Sequence, residues 1–349
     1  MRLMFVYWAF EDQGSGLVIQ GYSEAARALG HEVAVYGRPN PKIPLNYSLD
    51  LESADAIVFI FEWTTQLMAG DVLDRLRLMT KVPRRRRVIL DGDGNYNDII
   101  SVDGDYNHRE PGDRAQWISI CESLSDKICQ PTYHPRPRNV RPFLFYSYNP
   151  RWERPSDSAA KEFSMIYVGH SKFRWRPIHS VLRRVAPVRS QLGRVALLGY
   201  GWEALPPWAV PMHLEDAYYS DPAYMAALGV EIFEPVPFEA VIDWMSKATF
   251  NPVITRPTFA EMRLVTPRFF ETLAADTFPV FALHPEHVAE IYGPEATEMV
   301  LRDDGGEMFV DMQRRPQHYR NIVRGIRQHL ARHHSQMVRL RELVDIIET

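Results

Sequence analysis

Leu3-Met4-Phe5-Val6-Tyr7-Trp8 is an unbroken apolar run of strand length, and Gly14-Ser15-Gly16 follows it after a short interval. Beyond the glycines, Leu17, Tyr22, Ala25, Ala26 and Leu29 recur at helical spacing. Gly30 stands where glycine stops a helix, just past the last turn. His31-Glu32-Val33-Ala34-Val35-Tyr36-Gly37 then reads as a second strand. Strand, loop, helix and strand within 37 residues make a βαβ unit. The apolar start has a single Arg and no small-residue cleavage site, and it runs into Glu11-Asp12, so it is expected to be a buried strand rather than a leader.

The same rhythm continues outward. Ala54–Phe61 and Val88–Asp91 read as buried strands, with a helical pattern at Asp71–Met79 between them. Arg151–Lys161 is polar and suits a linker, and after it the pattern restarts. Strands are expected at Phe163–Gly169, Arg194–Gly199, Val230–Phe233, Phe250–Ile254 and Phe278–Ala282. Helices are expected at Ile178–Val185, Phe238–Lys247 and Arg268–Ala275. Gln317–Ile347 is mostly helical, on the spacing of Ile322, Val323, Ile326, Leu330, Met337, Leu340, Leu343 and Val344. Continuous apolar strands alternating with helices predict parallel sheets covered on both faces. The expected fold class is α/β: two Rossmann-like, doubly wound parallel-sheet domains facing a cleft.

Composition bounds the function. With 349 residues, 46% apolar and 24% charged, the chain is an ordinary globular protein with room for about two domains. A formal charge of −4 argues against a generally basic, nucleic-acid-binding body but leaves a local basic cleft open. Two cysteines, Cys121 and Cys129, build neither a disulfide framework nor a four-cysteine zinc site. They are expected to pack as small apolar groups in a reducing cytoplasm. No apolar run approaches the ~20 residues of a membrane span. Arg84-Arg85-Arg86-Arg87 reads as a solvated loop, or else as a contact for an anionic acceptor, a membrane surface or nucleic acid. His329 and His333 have metal-ligand spacing but lack an intervening H-E-x-x-H glutamate, so they read as a solvated face. Trp8, Phe10, Trp63 and Trp208 suit core packing or stacking on a sugar or hydrophobic acceptor.

Several motifs carry candidate chemistry. Gly169-His170-Ser171-Lys172 follows a strand, and Lys172, Arg174 and Arg176 cluster there. A glycine lets backbone approach a phosphate and cations neutralise it; a solvated basic loop, with His170 as a loop cap, is the other reading. Gly199–Ala204 spells a GxGxxA, but Pro206-Pro207 interrupts the helix that a dinucleotide fingerprint needs. Gly201 is kept as part of a glycine loop near a nucleotide. Thr266-Pro267 opens a helix, with Thr266 as expected cap, Pro267 in the first turn and Arg268 adding a cation. Glu271 sits about one turn further in, where an acidic residue is favourable in any case.

Three of these segments, in order and spacing, carry a resemblance: Tyr167-Val168-Gly169-His170-Ser171, then Leu198-Gly199-Tyr200-Gly201-Trp202, then Thr266-Pro267-Arg268-Phe269-Phe270-Glu271-Thr272-Leu273-Ala274. Over about residues 163–285 the chain resembles the nucleotide-sugar domain of GT-B glycosyltransferases, nearest the branch that includes the CgeB-like spore-maturation proteins. The resemblance implies transfer of a sugar from a nucleoside diphosphate to an acceptor hydroxyl or amine. It implies an acceptor domain at 1–152, a donor domain at 153–315, and a C-terminal helix in 316–349 returning to the first domain. Glu271 would accept hydrogen bonds from the donor ribose, and the backbone near Val236 would read the base. Two departures stand out. Arg263 occupies the place where larger GT-B families carry a glutamate, with Glu261 two residues away, and the usual glycine near Ala275–Asp276 is absent.

The departing diphosphate accumulates charge, which a helix N-terminus and cations stabilise. An inverting enzyme also needs a base on the acceptor side, and Glu11, Asp12, Asp91 and Asp93 follow strands there; a retaining enzyme does not. Asp93 and Asp12 are the catalytic candidates, although Asp91-Gly92-Asp93-Gly94-Asn95 equally suits a turn. Gly169, His170, Lys172, Arg174, Gly201, Val236, Arg263, Thr266, Arg268 and Glu271 are the donor-site candidates. A D-x-D also marks metal-dependent GT-A enzymes, but the two-half organisation favours GT-B, with no required metal and no tightly bound cofactor. UDP-sugar is the favoured co-substrate, with GDP- and dTDP-sugars as alternatives. Glycan, natural product, protein and modified nucleic acid stay open as acceptors. A nucleotide-sugar epimerase on the same fold and a silent glycan- or partner-binding relative are the rival readings. The protein is expected in the cytoplasm, without integral membrane association.

Overall fold

The computed structural model describes residues 1–6, 14–37, 39–41, 43–61, 80–155 and 160–349. The first half runs β1 (Arg2–Val6), α1 (Gly14–Ala28), β2 (Glu32–Tyr36), β3 (Tyr47–Ser48), β4 (Ala56–Phe61), β5 (Arg87–Asp91), a hairpin of β6 (Ser101–Val102) and β7 (Asp105–Tyr106), α2 (Pro111–Leu124), β8 (Lys127–Gln130) and β9 (Val140–Pro142). The second runs β10 (Phe163–Val168), α3 (Trp175–Val185), β11 (Val195–Leu198), α4 (Pro222–Ala227), β12 (Val230–Phe233), α5 (Val241–Ser246), β13 (Ala248–Val253), α6 (Pro257–Glu261), α7 (Arg268–Ala274), β14 (Phe278–Phe281), α8 (Pro285–Tyr292), α9 (Glu307–Arg314), α10 (Pro316–His333) and α11 (Gln336–Glu348).

Two sheets result, in the orders β3-β2-β1-β4-β5-β8-β9 and β12-β11-β10-β13-β14, and all their pairings are parallel. The strands are apolar on both faces because helices cover both, and β4 and β10 are buried throughout. In each sheet the order reverses at the first strand, so β1 and β10 mark switch points, where ligands bind beyond the carboxyl ends of the strands. The expected α/β class and doubly wound pair of sheets are what the structure has. Gly30 ends α1 in the left-handed region, at φ 74°, as its position predicts.

The chain crosses between the halves twice at one place. Tyr148 N–H donates to the His334 carbonyl at 2.8 Å, and Tyr148 pairs with Ser335 as an isolated bridge. This crossing divides the predicted 317–347 helical stretch into two. α10 packs on α7, α8 and β14, whereas α11 packs on α1 and β5 of the first half. Lys127 Nζ donates to the Ile347 carbonyl at 2.6 Å, tying α11 to β8. The helical pattern at Asp71–Met79 lies outside the described residues.

The arginine run is solvated as expected at Arg84, Arg85 and Arg86, which form an exposed 3-10 turn before β5. Arg84 pairs with Asp126 at 2.8 Å, and Arg87 is buried, donating to the carbonyls of Val82, Thr80 and Leu124. Cys121 and Cys129 are free and buried, as expected. The His329 and His333 rings lie 4.7 Å apart in a tilted arrangement, with His329 partly buried and His333 exposed.

Leu343 on α11 is fully buried, and Glu348 is exposed. Leu343→Ala is expected to cost about 2–5 kcal/mol in urea unfolding, and Glu348→Ala within about 0.5 kcal/mol. Equal effects would contradict the packing of α11 against the first half.

Candidate active site at the junction of the two sheets

Asp91 and Asp93 leave β5 with different roles. Asp91 is buried, and its carboxylate accepts from Asn95 N–H and Tyr96 N–H at 2.9 Å and from Gln130 Nε2 at 2.8 Å. It builds the turn. Asp93 lies at the apex, partly buried, and lines a cavity of about 350 Å³ between the halves. Burial, followed by the neighbouring charge of Asp91, pushes its pKa up to about 7, against the opposing pull of Arg256, Lys172 and Arg174.

The opposite wall comes from the loop after β10. His170, Lys172, Phe173 and Arg174 line it. This loop is knitted to the loop after β11: Ser171 N–H donates to the Tyr200 carbonyl at 2.9 Å, and Trp202 Nε1 to the Gly169 carbonyl at 2.8 Å. A Cβ on Gly199 would come within 2.5 Å of the Gly169 oxygen, so only glycine permits that approach. Gly201, at φ 84°, sits against Ser171 and Tyr218. Tyr200 N–H donates to His170 Nδ1 at 3.1 Å, which leaves the proton of a neutral ring on Nε2. One face of His170 stays open, yet enclosure and then Arg174, Arg268 and Lys172 push its pKa down to about 4. Burial and the neighbouring cations Arg256 and Arg174 likewise lower Lys172, to about 8.

Arg256, just beyond β13, also lines the cavity, and sequence reading missed it as it missed Arg109. Asp105, in the hairpin of the first half and 2% exposed, bonds Arg256 Nη2 at 2.6 Å. The same carboxylate accepts from Thr258 N–H at 2.9 Å and Thr258 Oγ1 at 2.5 Å. The guanidinium lies 4.2 Å from the Phe173 ring centre and 4.8 Å from that of Phe259. The usable signal was its place: a cation at the carboxyl end of a parallel strand.

Asp93, His170, Lys172 and Arg174 therefore converge on one cavity, with Gly169 and Gly201 in the loops behind. Arg268 is close enough to bear on His170, and it pairs with the buried Glu271 at 3.3 Å. Thr266 is not the expected cap: Pro267 holds that position with helical φ −52°, and no side chain caps α7, although the Thr266 carbonyl accepts from Phe269 N–H at 3.1 Å. Arg263, at φ 51°, reaches Glu286 at 3.0 Å and is not part of the cavity wall. Val236 follows β12 and packs, partly buried, on the core beneath β10 and β11. Asp12, with Glu11, Trp8, Phe10 and Trp63, lies outside the described residues. Trp208 is exposed and stands edge-on to Tyr200 at 4.8 Å.

The comparisons agree with this architecture. Residues 176–345 match the family described as glycosyl transferase-like. No curated protein matches the chain in sequence. Among solved structures, an alpha-glucosyltransferase in complex with UDP and a 13-mer DNA containing a central A:G mismatch aligns at 13% identity and TM-score 0.67, covering 100% of this chain and 99% of that one. T4 phage BGT in complex with UDP and Mn2+ aligns at 12% and 0.62, covering both chains completely. Anabaena HepE in complex with UDP-glucose aligns at 10% and 0.62, covering 100% and 99%. The chain shares the GT-B fold of these structures, and its residues 176–345 are similar to the glycosyl transferase-like family. Among the described residues, no helix is long and apolar enough to cross a membrane.

Two outcomes test the site. Removing one partner of a buried ion pair leaves an uncompensated charge, so Asp105→Ala is expected to cost about 3–5 kcal/mol. Glu261→Ala, at the exposed Arg136 pair, is expected to cost at most about 1 kcal/mol. Urea midpoints check both, and similar losses would contradict the clamp. A carboxylate with a raised folded pKa loses its stabilising contribution as pH rises through that value. Asp93→Asn should therefore gain stability on the parent between pH 4 and pH 8; a pH-independent difference would contradict the buried setting of Asp93.

Proposed function

We propose that this protein transfers a sugar from a nucleoside diphosphate donor, UDP-sugar foremost, to an acceptor hydroxyl or amine. The observation that carries the reading is Asp93 on one cavity wall facing Lys172, Arg174 and Arg256 on the other, beyond the carboxyl ends of two parallel sheets. On this reading residues 153–315 hold the donor and residues 1–152 the acceptor, while 316–349 bind the halves together. Glu271 takes the ribose hydroxyls, and the backbone near Val236 takes the base.

Asp93 then acts as general base in an inverting displacement. Its carboxylate takes the acceptor proton as the acceptor oxygen attacks the anomeric carbon. The sugar–phosphate bond breaks and its electron pair leaves with the diphosphate. Lys172, Arg174, Arg256 and Arg268 neutralise the charge that develops there, in a partly enclosed site where such interactions are strong. A base with pKa near 7 suits proton transfer at neutral pH.

A divalent metal between the two aspartates does not fit this geometry. Both oxygens of Asp91 are engaged by Asn95, Tyr96 and Gln130. We therefore assign the diphosphate charge to the protein cations. Transfer is expected to persist in EDTA, and its abolition there with rescue by Mn2+ would contradict that assignment. The two buried free thiols suit a reducing, cytosolic setting.

Turnover of UDP-sugars with a panel of acceptors tests the function. Asp93→Asn is expected to lower kcat about 10²–10⁴-fold and to leave UDP affinity intact. In the parent, kcat/KM should rise with pH through about 7, because the base must be ionised. A pH-independent parent, or an active Asp93→Asn, would overturn the role of Asp93. Sugar isomerisation with donor alone would point to an epimerase instead.

A further inference from the structure

The cavity has two chemically different walls. The wall from the second half supplies cations. The wall from the first half, made by residues 93–117, supplies neutral polar groups, the carboxylates of Asp93 and Asp113, and the cation of Arg109. Asn95, His108 and Trp117 line that wall and are 3%, 5% and 1% exposed. Among the described residues, Asn95 Nδ2, both ring nitrogens of His108 and Trp117 Nε1 have no hydrogen-bond partner. His108 lies beside the carbonyls of Asn95 and Asn97 without reaching hydrogen-bond geometry. Buried polar groups are nearly always paired, because an orphan gives up its hydrogen bonds to water without replacing them. Three of them on one wall of one cavity point to a ligand that completes them.

Charge selects the class of ligand. The acidic groups on this wall are Asp93 and Asp113, while Arg109 on the same side donates to the His213 carbonyl. A phosphodiester entering here would meet two carboxylates. The arginine run is exposed at Arg84, Arg85 and Arg86, but it precedes the amino end of β5, whereas the cavity lies beyond the carboxyl end. An uncharged ring with several hydroxyls fits: its oxygens accept from Asn95 Nδ2 and Trp117 Nε1, and its hydroxyls donate to carboxylates.

Resting on the glycosyltransfer reading above, we propose that Asn95, His108 and Trp117 form the acceptor subsite and that the acceptor they take is an uncharged sugar presenting one hydroxyl to Asp93. Its O–H proton passes to the Asp93 carboxylate, its oxygen bonds to the donor's anomeric carbon, and UDP leaves with the electron pair of the broken bond.

Saturation-transfer NMR on the full-length protein tests this, with and without UDP. The probes are methyl glycosides of glucose, galactose, mannose and N-acetylglucosamine, plus a short oligodeoxynucleotide. At least one glycoside is expected to receive saturation. Asn95→Leu and Trp117→Phe should each reduce that signal at least fivefold with UDP affinity unchanged. Trp117→Phe removes the N–H while keeping an aromatic ring in the smaller phenyl group, so it provides a second variant if Asn95→Leu unfolds. The Trp117 indole resonance, assigned with that variant, should shift on glycoside addition. No saturation of any glycoside in either condition, or saturation indifferent to both variants, overturns the subsite, as does oligonucleotide binding that the variants abolish. Glycoside binding without any UDP binding supports the subsite and condemns the glycosyltransfer reading. UDP binding without glycoside binding does the reverse.

Discussion

The buried carboxylate of Asp105 holds the two halves of this molecule in working relation. It belongs to a hairpin of the first half, and its partners Arg256 and Thr258 belong to the second. An ion pair of this kind repays its desolvation only when the remaining hydrogen-bonding capacity is used, and here Thr258 uses it twice. The pair also fixes Arg256 between Phe173 and Phe259, so that its charge stands over the cavity rather than in solvent. The polar chemistry of the junction depends on this placement, because the charge of Arg256 bears on the protonation of Asp93 and Lys172.

A cleft built this way is electrostatically uneven. Enclosure penalises every charge in it, which raises Asp93 and lowers Lys172 and His170 together. An anion delivered between them relieves the crowding of cations, and a hydroxyl beside Asp93 finds a carboxylate with an affinity for its proton. Stability and activity pull in opposite directions here, as they do where functional groups are gathered at a cost to the fold. The orphaned polar atoms of Asn95, His108 and Trp117 belong to the same pattern.

Much of the fold was legible because buried parallel strands announce themselves as apolar runs, and β1, β4, β5, β10, β11 and β14 were all read within a residue or two. Among the elements missed, β8 and α2 show why a short or polar pattern gives no signal. β8 is Lys127-Ile128-Cys129-Gln130, buried only because Ile347 and Asp91 satisfy its ends. α2 buries just Trp117, Cys121 and Leu124, too few to impose a helical stripe. The break between α10 and α11 was invisible because it is imposed by a crossing to the other half at Tyr148. Within the site, Asp93 and the loop carrying Lys172 and Arg174 followed from glycine and charge after strands. Arg256 did not, since its meaning comes from Asp105, 151 residues earlier in the chain. Thr266 does not cap α7 because Pro267 holds that position, and Arg263 pairs with Glu286 away from the cavity wall.

On the proposed reading, donor phosphates rest among the cations on the wall opposite Asp93. Calorimetric titration of UDP and of uridine into the parent and into a Lys172→Ala/Arg174→Ala variant measures this most directly. The parent should prefer UDP strongly, and the variant should lose most of that preference while binding uridine as before. An unchanged preference for UDP in the variant would place the phosphates elsewhere and contradict the account.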